Sequence, residues 1–262
     1  MSSKIPLIVS SCDKCSDLWL PFFTLVRKYW PGFDRKVYLC TDSMTFEYDG
    51  IEIECPLRMP QGSTWSENLM ALLKQVKEEY VLFMLDDFWL KTKIDIAQLN
   101  RCEEIMNSDP TVGFICLVHQ LEPSADNPVS TKYPFFIEYG RKTPYRVTTQ
   151  AGLWRRDYLL SLLRKHESAW WFEMFGSKRS GASHYKSYVV KDTVFAYDDG
   201  GVLFRGSYVS EYVNYFKEDK DVVLNPDRRM ANKETLMKEV NNHSFFQKLN
   251  PLFIYHYCLS HF

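Results

Sequence analysis

Residues 80–90 of the chain read YVLFMLDDFWL, an apolar run that ends in two adjacent aspartates, Asp86 and Asp87, before it turns apolar again. An apolar run of this length predicts a β-strand buried on both faces, as in a parallel sheet. Open α/β sheets bind ligands at the carboxyl ends of such strands. Carboxylate oxygens at that position suit a hard cation such as Mg²⁺ or Mn²⁺, or a ribose hydroxyl. The segment therefore predicts a ligand site at one edge of a sheet.

The segments around this strand alternate between strand and helix patterns. Apolar periodicity predicts further strands at 5–10, 36–40, 51–55 and 112–118. It predicts amphipathic helices at 18–30, 63–79 and 94–106, the second capped by Ser63 or Thr64. This order indicates an α/β fold: one doubly wound, mostly parallel sheet with helices on both faces.

The second half of the chain has a less regular pattern. Four Pro and Asn residues within 122–139 predict a long irregular loop of the kind that covers active sites. After it, we predict a strand at 147–153, a helix at 157–165 capped by Asp157, a helical turn at 169–175 and a strand at 202–206.

Composition narrows the function classes. With 262 residues and a net charge of -1, the chain suits one large domain, and nothing indicates nucleic-acid binding. Seven scattered cysteines suggest a reducing compartment. Only Cys12 and Cys15 form a C-x-x-C pair, too few ligands for a structural zinc site. Without a signal peptide or a membrane-spanning run, we expect a soluble, cytoplasmic protein.

Five motifs together carry a family resemblance. They are SSCD at 10–13, WSENL at 65–69, VLFMLDD at 81–87, QAGLW at 150–154 and WWFE at 170–173. Their layout, over roughly residues 4–206, resembles a GT-A-type glycosyltransferase that uses nucleotide sugars, of the kind that builds bacterial surface polysaccharides. The Asp-x-Asp signature of that family stands here as Asp86-Asp87-Phe88, with no acid at the third position.

The resemblance implies a division of the chain. A GT-A-like, Rossmann-related catalytic domain would occupy 1–206, with a nucleotide-sugar-binding half at 1–118 and an acceptor-side half at 119–206. Residues 207–262 would form a C-terminal extension. Its aromatic segment at 245–257 would either pack on the domain or contact a membrane surface or a partner.

The resemblance also implies a donor site. The residues that would face the base and ribose are Ser10, Ser11, Asp13, Trp65 and Asn68. Asp86 and Asp87 would hold Mn²⁺ or Mg²⁺, or the ribose, and His184 would complete the metal shell. Basic residues would contact the diphosphate: Arg205, with Lys178 and Arg179 as further candidates.

For the acceptor, an inverting transferase needs a carboxylate that takes the proton from the attacking hydroxyl. Glu173 is the best candidate, because the aromatic residues around it at 170–175 could stack on a sugar and desolvate the carboxylate. Glu167 is a weaker candidate. The predicted activity is transfer of a sugar from a nucleotide-diphosphate donor to a hydroxyl of a glycan or lipid-linked saccharide.

Three other functions compete with this prediction. A sugar-phosphate nucleotidyltransferase uses a similar sheet, but it normally has a glycine-rich phosphate loop, and residues 10–14 read SSCDK. A non-catalytic glycan-binding module would have no use for a costly buried acid pair. A glycosidase also uses paired carboxylates, although strand-end acids on a doubly wound sheet fit nucleotide binding better.

Overall fold

The computed structural model describes residues 4–238. Its main sheet has eight strands, in the spatial order β3-β2-β1-β4-β7-β5-β8-β6. The strands are β1 Leu7–Ser10, β2 Val37–Cys40, β3 Ile53–Glu54, β4 Tyr80–Leu85, β5 Val112–Cys116, β6 Phe136–Glu138, β7 Gly152–Arg155 and β8 Lys186–Val190. The larger helices are α1 Trp19–Tyr29, α2 Trp65–Leu73, α3 Ile96–Ser108 and α4 Arg156–Leu162.

The pairing pattern defines one functional edge. Strands β3, β2, β1 and β4 pair in parallel. Strand β7 runs antiparallel to both β4 and β5, so β4 and β5 point the same way, and β8 is parallel to β5. Only β7 and β6 run against the other six strands of the sheet. The carboxyl ends of those six strands therefore lie at one edge, where open α/β sheets bind ligands.

Strand β4 is central because both of its faces are covered. Leu82 and Met84 belong to one buried core layer, and Val81 and Phe83 belong to the other. Helices α1 and α3 contribute side chains to the first layer, whereas α2 and α4 contribute to the second. This confirms the predicted fold class at the level of architecture: a mostly parallel α/β sheet with helices on both faces.

Helix α2 is shorter than predicted. Thr64 caps it in a capping box, in which the Glu67 side chain accepts from the Thr64 N–H at 2.9 Å. The helix ends at Leu73, before the turn that leads into β4. The apolar period continues to Val76, which packs in the same core layer without being helical, and this is why periodicity alone overextended the helix.

In the second half of the chain, the observed helices and strands differ more from the predicted ones. Strand β7 begins at Gly152 rather than at 147, and α4 begins at Arg156 with Arg155, not Asp157, as its N-cap. Strand β6 lies within the segment predicted as an irregular loop, and β8 was not predicted at all. The predicted turn at 169–175 consists of α5 Ala169–Trp171 and a π-helical turn Phe172–Gly176, followed by α6 Ser177–Gly181.

A small sheet follows the main one. It contains β9 Leu203–Phe204, β10 Ser207–Val209 and β11 Met230–Ala231, and α7 Ser210–Val213 follows β10. The hairpin between β9 and β10 turns at Arg205 and Gly206, so the boundary predicted at residue 206 falls inside that turn. Within 4–238 no helix is long and apolar enough to cross a bilayer. The segment at 245–257 lies outside the described residues.

Candidate functional site

Asp86 lies directly after β4 and faces the end of β1. Its N–H donates to the Ser10 carbonyl at 3.2 Å, which continues the β1–β4 pairing by one residue. The Asp86 carboxylate accepts a hydrogen bond from Ser11 Oγ. Ser11 Oγ in turn accepts from Trp19 Nε1 at 2.6 Å, so the serine hydroxyl is oriented toward the acid. Asp86 is buried although it is an acidic residue.

Asp87 is held differently. Its carbonyl accepts from the Val202 N–H at 2.9 Å, and its carboxylate packs against Gly201, where a Cβ atom would overlap Oδ2. Gly201 has a φ of 76°, so this close approach needs glycine both for space and for conformation. Asp87 Oδ1 is buried and has no hydrogen-bond partner among the described residues. A buried, unpartnered carboxylate oxygen is costly unless a ligand satisfies it.

The electrostatics of the pair disfavour the ionisation of both carboxylates. Burial, and then the charge of Asp87, raise the pKa of Asp86 well above its usual value, and the Ser11 hydrogen bond only partly opposes this. Burial raises the pKa of Asp87 to about 7. Two adjacent carboxylates of this kind repel each other when both are ionised.

The pair fits a divalent cation with few protein ligands. Among residues 4–238, no group of three or more His, Cys, Asp and Glu side chains could hold a metal. Asp86 and Asp87 are two neighbouring carboxylates, fewer than such a group would need. That donor set is compatible with Mg²⁺ or Mn²⁺, because such ions are commonly held by one or two carboxylates together with substrate phosphates and water.

The other predicted donor-site residues gather beside Asp86. Trp65 Nε1 donates to Ser10 Oγ at 2.9 Å, which links the start of α2 to the end of β1. Asn68 Nδ2 donates to Asp42 Oδ1 at 2.6 Å, and the buried Asn68 Oδ1 has no partner in the described part of the chain. The structure thus brings together Ser10, Ser11, Trp65, Asn68 and Asp86 with one unpredicted residue, Asp42.

Asp13 has a supporting position in this cluster. Its carboxylate accepts from the backbone N–H groups of Asp42, Ser43 and Met44 at 2.9 to 3.2 Å. Burial opposes its ionisation, but the Ser43 and other hydrogen bonds lower the pKa of Asp13. Asp13 therefore fixes the loop after β2. Asp42 follows the apolar strand β2 as Asp86 follows β4, so the same sequence signal could have identified it.

Cys12 and Cys15 are free thiols whose sulfurs lie 3.7 Å apart. The hydrogen bond between the two thiols lowers the pKa of Cys12 to about 7, and the same contact raises the pKa of Cys15. No third ligand in the described chain joins them to form a metal site.

Glu173 lies in the π-helical turn and reaches the loop that enters β7. Its Oε1 accepts three hydrogen bonds, from Thr148 Oγ1 at 2.7 Å, the Thr149 N–H at 2.7 Å and Thr149 Oγ1 at 2.8 Å. Since Gly152 pairs with Phe83 near the carboxyl end of β4, these threonines lie at the same edge as the Asp pair. One oxygen of Glu173 is thus fixed by the protein, and π-helical turns are frequent at functional sites.

Glu173 lines a cleft of about 1150 Å³. The other side chains that line it are mainly aromatic or polar, and they include His119, Gln120, Tyr139, Tyr145, Gln150, Tyr197 and Asp199. Tyr197 donates to Gln150 Oε1 at 2.8 Å and stacks on Phe88, with ring centroids 4.3 Å apart. Aromatic and hydrogen-bonding side chains of this kind suit a saccharide.

The Asp pair and the cleft are neighbours along one loop. Residues 198–201 contribute Asp199 to the cleft wall and Gly201 to the packing around Asp87. Phe88, which follows Asp87, is the residue on which Tyr197 stacks. The strand-end acids Asp86 and Asp87 thus lie beside the wall of a cleft that is lined by two further acids, Asp199 and Glu173.

His184 is a predicted site residue that is not brought to this cluster. His184 precedes β8, and Lys186 pairs with Val112 at the start of β5, so His184 lies at the opposite edge of the sheet from Asp86. Its ring is exposed and stacks on Tyr185. The topology therefore contradicts its assignment as a ligand of the Asp86–Asp87 metal. Arg205 is exposed in the β9–β10 turn, with a φ of 50° that fits a hairpin turn.

Arg179 and Glu167 have a structural role. Glu167 is fully buried and forms an ion pair with Arg179 Nη2 at 2.9 Å. Arg179 Nε also donates to the Leu162 carbonyl at 2.8 Å. A buried guanidinium committed in this way is not placed to bind a diphosphate. The pair instead links the segment before α5 to α6 and so brackets the turn that carries Glu173.

Neither a family model nor a curated protein matches the sequence. Among solved structures, S. aureus TarS 1-349 in complex with UDP-GlcNAc is 15% identical, with a TM-score of 0.49 over 94% of this chain and 74% of that chain. The bifunctional IspDF from Campylobacter jejuni is 13% identical, with a TM-score of 0.40 over 72% of this chain and 50% of that chain. The present chain thus spans half the length of that chain.

A third similar structure is 2-C-methyl-D-erythritol 4-phosphate cytidylyltransferase from Thermus thermophilus. It is 12% identical, with a TM-score of 0.42 over 75% of this chain and 93% of that chain. At such identities these similarities concern the fold alone.

Proposed function

We propose that the protein is a glycosyltransferase that moves a sugar from a nucleotide-diphosphate donor to a hydroxyl of a glycan or lipid-linked saccharide. The observation that carries this proposal is the presence of two different acid sites at one sheet edge. Asp86 is buried, and the neighbouring, partly exposed Asp87 has one buried oxygen with no partner among the described residues; Glu173 is a fixed acid in a separate cleft. Donor activation and proton removal need such separate groups.

On the donor side, Ser10, Ser11, Trp65 and Asn68 would surround the base and ribose, because they cluster at the ends of β1 and α2. Asp13 would act through the loop after β2 rather than by touching the nucleotide. Asp86 and Asp87 would hold Mn²⁺ or Mg²⁺. When bound, that cation would neutralise the negative charge that develops on the diphosphate leaving group.

On the acceptor side, Glu173 would take the proton from the attacking hydroxyl. Three donors fix Oε1, which leaves Oε2 as the oxygen for the substrate. The cleft would seat the acceptor sugar against Tyr139, Tyr197 and Gln150. Holding the base and the hydroxyl in a fixed geometry is a large part of what such a site can contribute to rate.

A sugar-phosphate nucleotidyltransferase is the second candidate, and its chemistry separates it from the first. It would join a nucleoside triphosphate to a sugar phosphate and release pyrophosphate, and it would have no need for a base positioned as Glu173 is. A coupled pyrophosphate assay on a panel of nucleoside triphosphates and hexose phosphates would detect it. Pyrophosphate release with these substrates would contradict the glycosyltransferase proposal.

The proposal is tested by thermal shift with the nucleoside diphosphates UDP, GDP, CDP, ADP and dTDP, each with and without Mn²⁺. Ligands that bind only the native state raise the melting temperature by mass action, so we expect one nucleotide to stabilise the protein, and more so with Mn²⁺. Asp87→Asn should abolish the Mn²⁺-dependent part of this rise in melting temperature. Asp192→Asn, at an exposed aspartate, is the matched control. No shift with any nucleotide would contradict the proposal.

A further inference from the structure

Cys12 and Cys15 have no part in the proposed transfer, but their geometry suits a disulfide. Residues 13–18 form a 3₁₀ helix, and the Cys15 N–H donates to the Cys12 carbonyl at 2.9 Å. The Cα atoms at the two ends of such a turn lie about 6 Å apart. A disulfide spans Cα atoms that are roughly 4.4–6.8 Å apart. Since the two sulfurs already lie 3.7 Å apart, a bond of about 2.0 Å needs little movement.

The two thiols are accessible and differ in reactivity. Both are partly exposed, whereas Cys40, Cys102 and Cys116 are buried. A dissolved oxidant can therefore reach the pair more easily than these core cysteines. Because the pKa of Cys12 is lowered to about 7, chiefly by its hydrogen bond with Cys15, much of it is thiolate at neutral pH. The thiolate is the form that attacks a disulfide, so Cys12 is the attacking sulfur and Cys15 the resolving one.

The residues on both sides of Cys12 hold carboxylates of the candidate donor site. Ser11 Oγ donates to the Asp86 carboxylate, and the Asp13 N–H donates to Asp42 Oδ2 at 2.9 Å. The Asp13 carboxylate also accepts from the backbone N–H groups of residues 42–44, in the loop after β2. A displacement of Cys12 would therefore disturb the contacts of Asp86 and of this loop together.

The other end of the turn is anchored to the segment at 225–228. The Lys14 carbonyl accepts from Arg228 Nη2 at 3.0 Å. Asp17 forms an ion pair with the same guanidinium, through Arg228 Nη2 and through Nε at 2.7 Å. Asp17 Oδ2 also accepts from Asn225 Nδ2 at 3.1 Å. Because these bonds restrain the Cys15 side, the closure of a disulfide should displace Cys12 more than Cys15.

We propose that Cys12 and Cys15 form a reversible disulfide, which loosens the loop after β2 and weakens nucleotide binding. The effect on the nucleotide rests on the proposed function, whereas the disulfide itself does not. The oxidant is a small disulfide such as oxidised glutathione. The Cys12 thiolate attacks one of its sulfurs and releases one glutathione thiolate. The Cys15 thiolate then displaces the second glutathione from Cys12, and the two thiol protons pass to the two released glutathione thiolates.

The first measurement maps the disulfide by mass spectrometry. The native protein is incubated with oxidised glutathione, its remaining thiols are blocked with iodoacetamide under denaturing conditions, and it is digested with trypsin. Trypsin cuts after Lys14, between the two cysteines. We expect the tryptic peptides 5–14 and 15–27 to be joined by a disulfide and to separate after reduction. Cys15→Ser should stop at the mixed disulfide between Cys12 and glutathione.

The second measurement compares the reduced and oxidised wild-type protein by hydrogen–deuterium exchange, without any nucleotide. Oxidation should speed exchange at residues 42–44 by at least about threefold, because Asp13 would hold their N–H groups less well. The affinity for the nucleoside diphosphate that stabilises the wild type, measured with Mn²⁺, should fall by at least about threefold, because the site is less preorganised. Reduction with dithiothreitol should restore both values.

Cys55→Ser is the matched control, because Cys55 is a partly exposed cysteine outside the turn, and this variant should respond to oxidation as the wild type does. The proposal would be overturned if the two peptides were not joined, or if Cys12 were joined to a different cysteine. Joined peptides with unchanged exchange at 42–44, or with unchanged nucleotide affinity, would also overturn it. If the reduced protein bound no nucleotide, the proposed function would be contradicted, while the peptide map and the exchange rates would still decide the present proposal.

Discussion

The two acid sites at the carboxyl edge of the sheet are held in opposite ways. Asp86 and Asp87 are adjacent, their pKa values are raised by burial, and Asp87 Oδ1 has no partner among the described residues. Glu173 has three hydrogen-bond donors on one oxygen. Under the proposed function, this difference would separate an acid pair that a bound cation neutralises from an oriented carboxylate that accepts a proton.

The largest expected effect is on transfer itself. Glu173→Gln keeps the shape and the threonine contacts but removes the basic oxygen, so transfer to an acceptor should fall by about 10²–10⁴-fold. Nucleotide binding should not change. The measurement is donor-sugar transfer by mass spectrometry, with Glu104→Gln, at an exposed residue of α3, as the control. Equal transfer by wild type and Glu173→Gln would remove Glu173 from the mechanism.

The second prediction concerns the free energy of unfolding, and it distinguishes the acceptor side around Glu173 from the nucleotide site. Glu167→Ala leaves the Arg179 charge buried without its carboxylate, which should cost about 3–5 kcal/mol of unfolding free energy. Because this pair brackets the Glu173 turn, acceptor-side function should suffer before nucleotide binding does. Urea unfolding gives the free energy. Glu54→Ala, which removes the exposed pair with Lys36, should cost at most about 1 kcal/mol.

A third substitution, of a glycine, should disturb the Asp86–Asp87 site without replacing either aspartate. In Gly201→Ala the new Cβ would overlap the Asp87 carboxylate at a φ of 76°, whereas in Gly200→Ala, at a φ of 89°, it would meet nothing within 4 Å. Both variants carry backbone strain of about 1–3 kcal/mol. Only Gly201→Ala should also weaken Mn²⁺-nucleotide binding, by about tenfold or more in calorimetry. Equal affinities in the two variants would show that Gly201 does not position Asp87.

The smallest expected effect is a pH dependence. The pKa of Asp87 is about 7 in the native state and near 3.8 when unfolded, so the native state binds the proton more tightly. Stability should therefore fall as pH rises from about 4 to about 7, and level off above that. Asp87 is partly exposed, so we expect a change on the order of 1 kcal/mol.

Urea titrations at pH 5 and pH 8 in EDTA would measure this change, and Asp87→Asn should reduce the difference between the two values. Added Mn²⁺ should reduce it as well, since a bound cation favours the ionised carboxylates. A larger pH dependence in Asp87→Asn than in the wild type would contradict the assignment.

Sequence patterns predicted the first half of the fold well for a physical reason. Strands such as β4 are buried on both faces and flanked by amphipathic helices, so hydrophobic periodicity reports them directly. A strand was predicted at 147–153, but the antiparallel placement of β7 between β4 and β5 could not be predicted, because it depends on distant partners. Strand β8 was not predicted either, since its sequence KSYVV is short and carries no signal that marks where the strand begins or ends.

The candidate site shows the same limit of prediction from sequence, because contacts between distant segments are not visible in local patterns. The family resemblance implied that Ser10, Ser11, Trp65 and Asn68 lie near Asp86, and the structure gathers them at one edge, at the end of β1 and the start of α2. The close packing of Gly201 on Asp87 could not be foreseen, because the sequence D-D-G-G at 198–201 indicates only a turn. His184 was misassigned since the direction of β8, which places it at the far edge, was not known.

The central claim is that the two acid sites have separate roles, and one calorimetric comparison tests it most directly. The nucleoside diphosphate that stabilises the wild type is titrated, with Mn²⁺ present, into the wild type, Asp87→Asn and Glu173→Gln. We predict that Glu173→Gln keeps the wild-type affinity and that Asp87→Asn loses at least about tenfold. Unchanged affinity in Asp87→Asn, or an equal loss in both variants, would contradict the division between a donor site and an acceptor base.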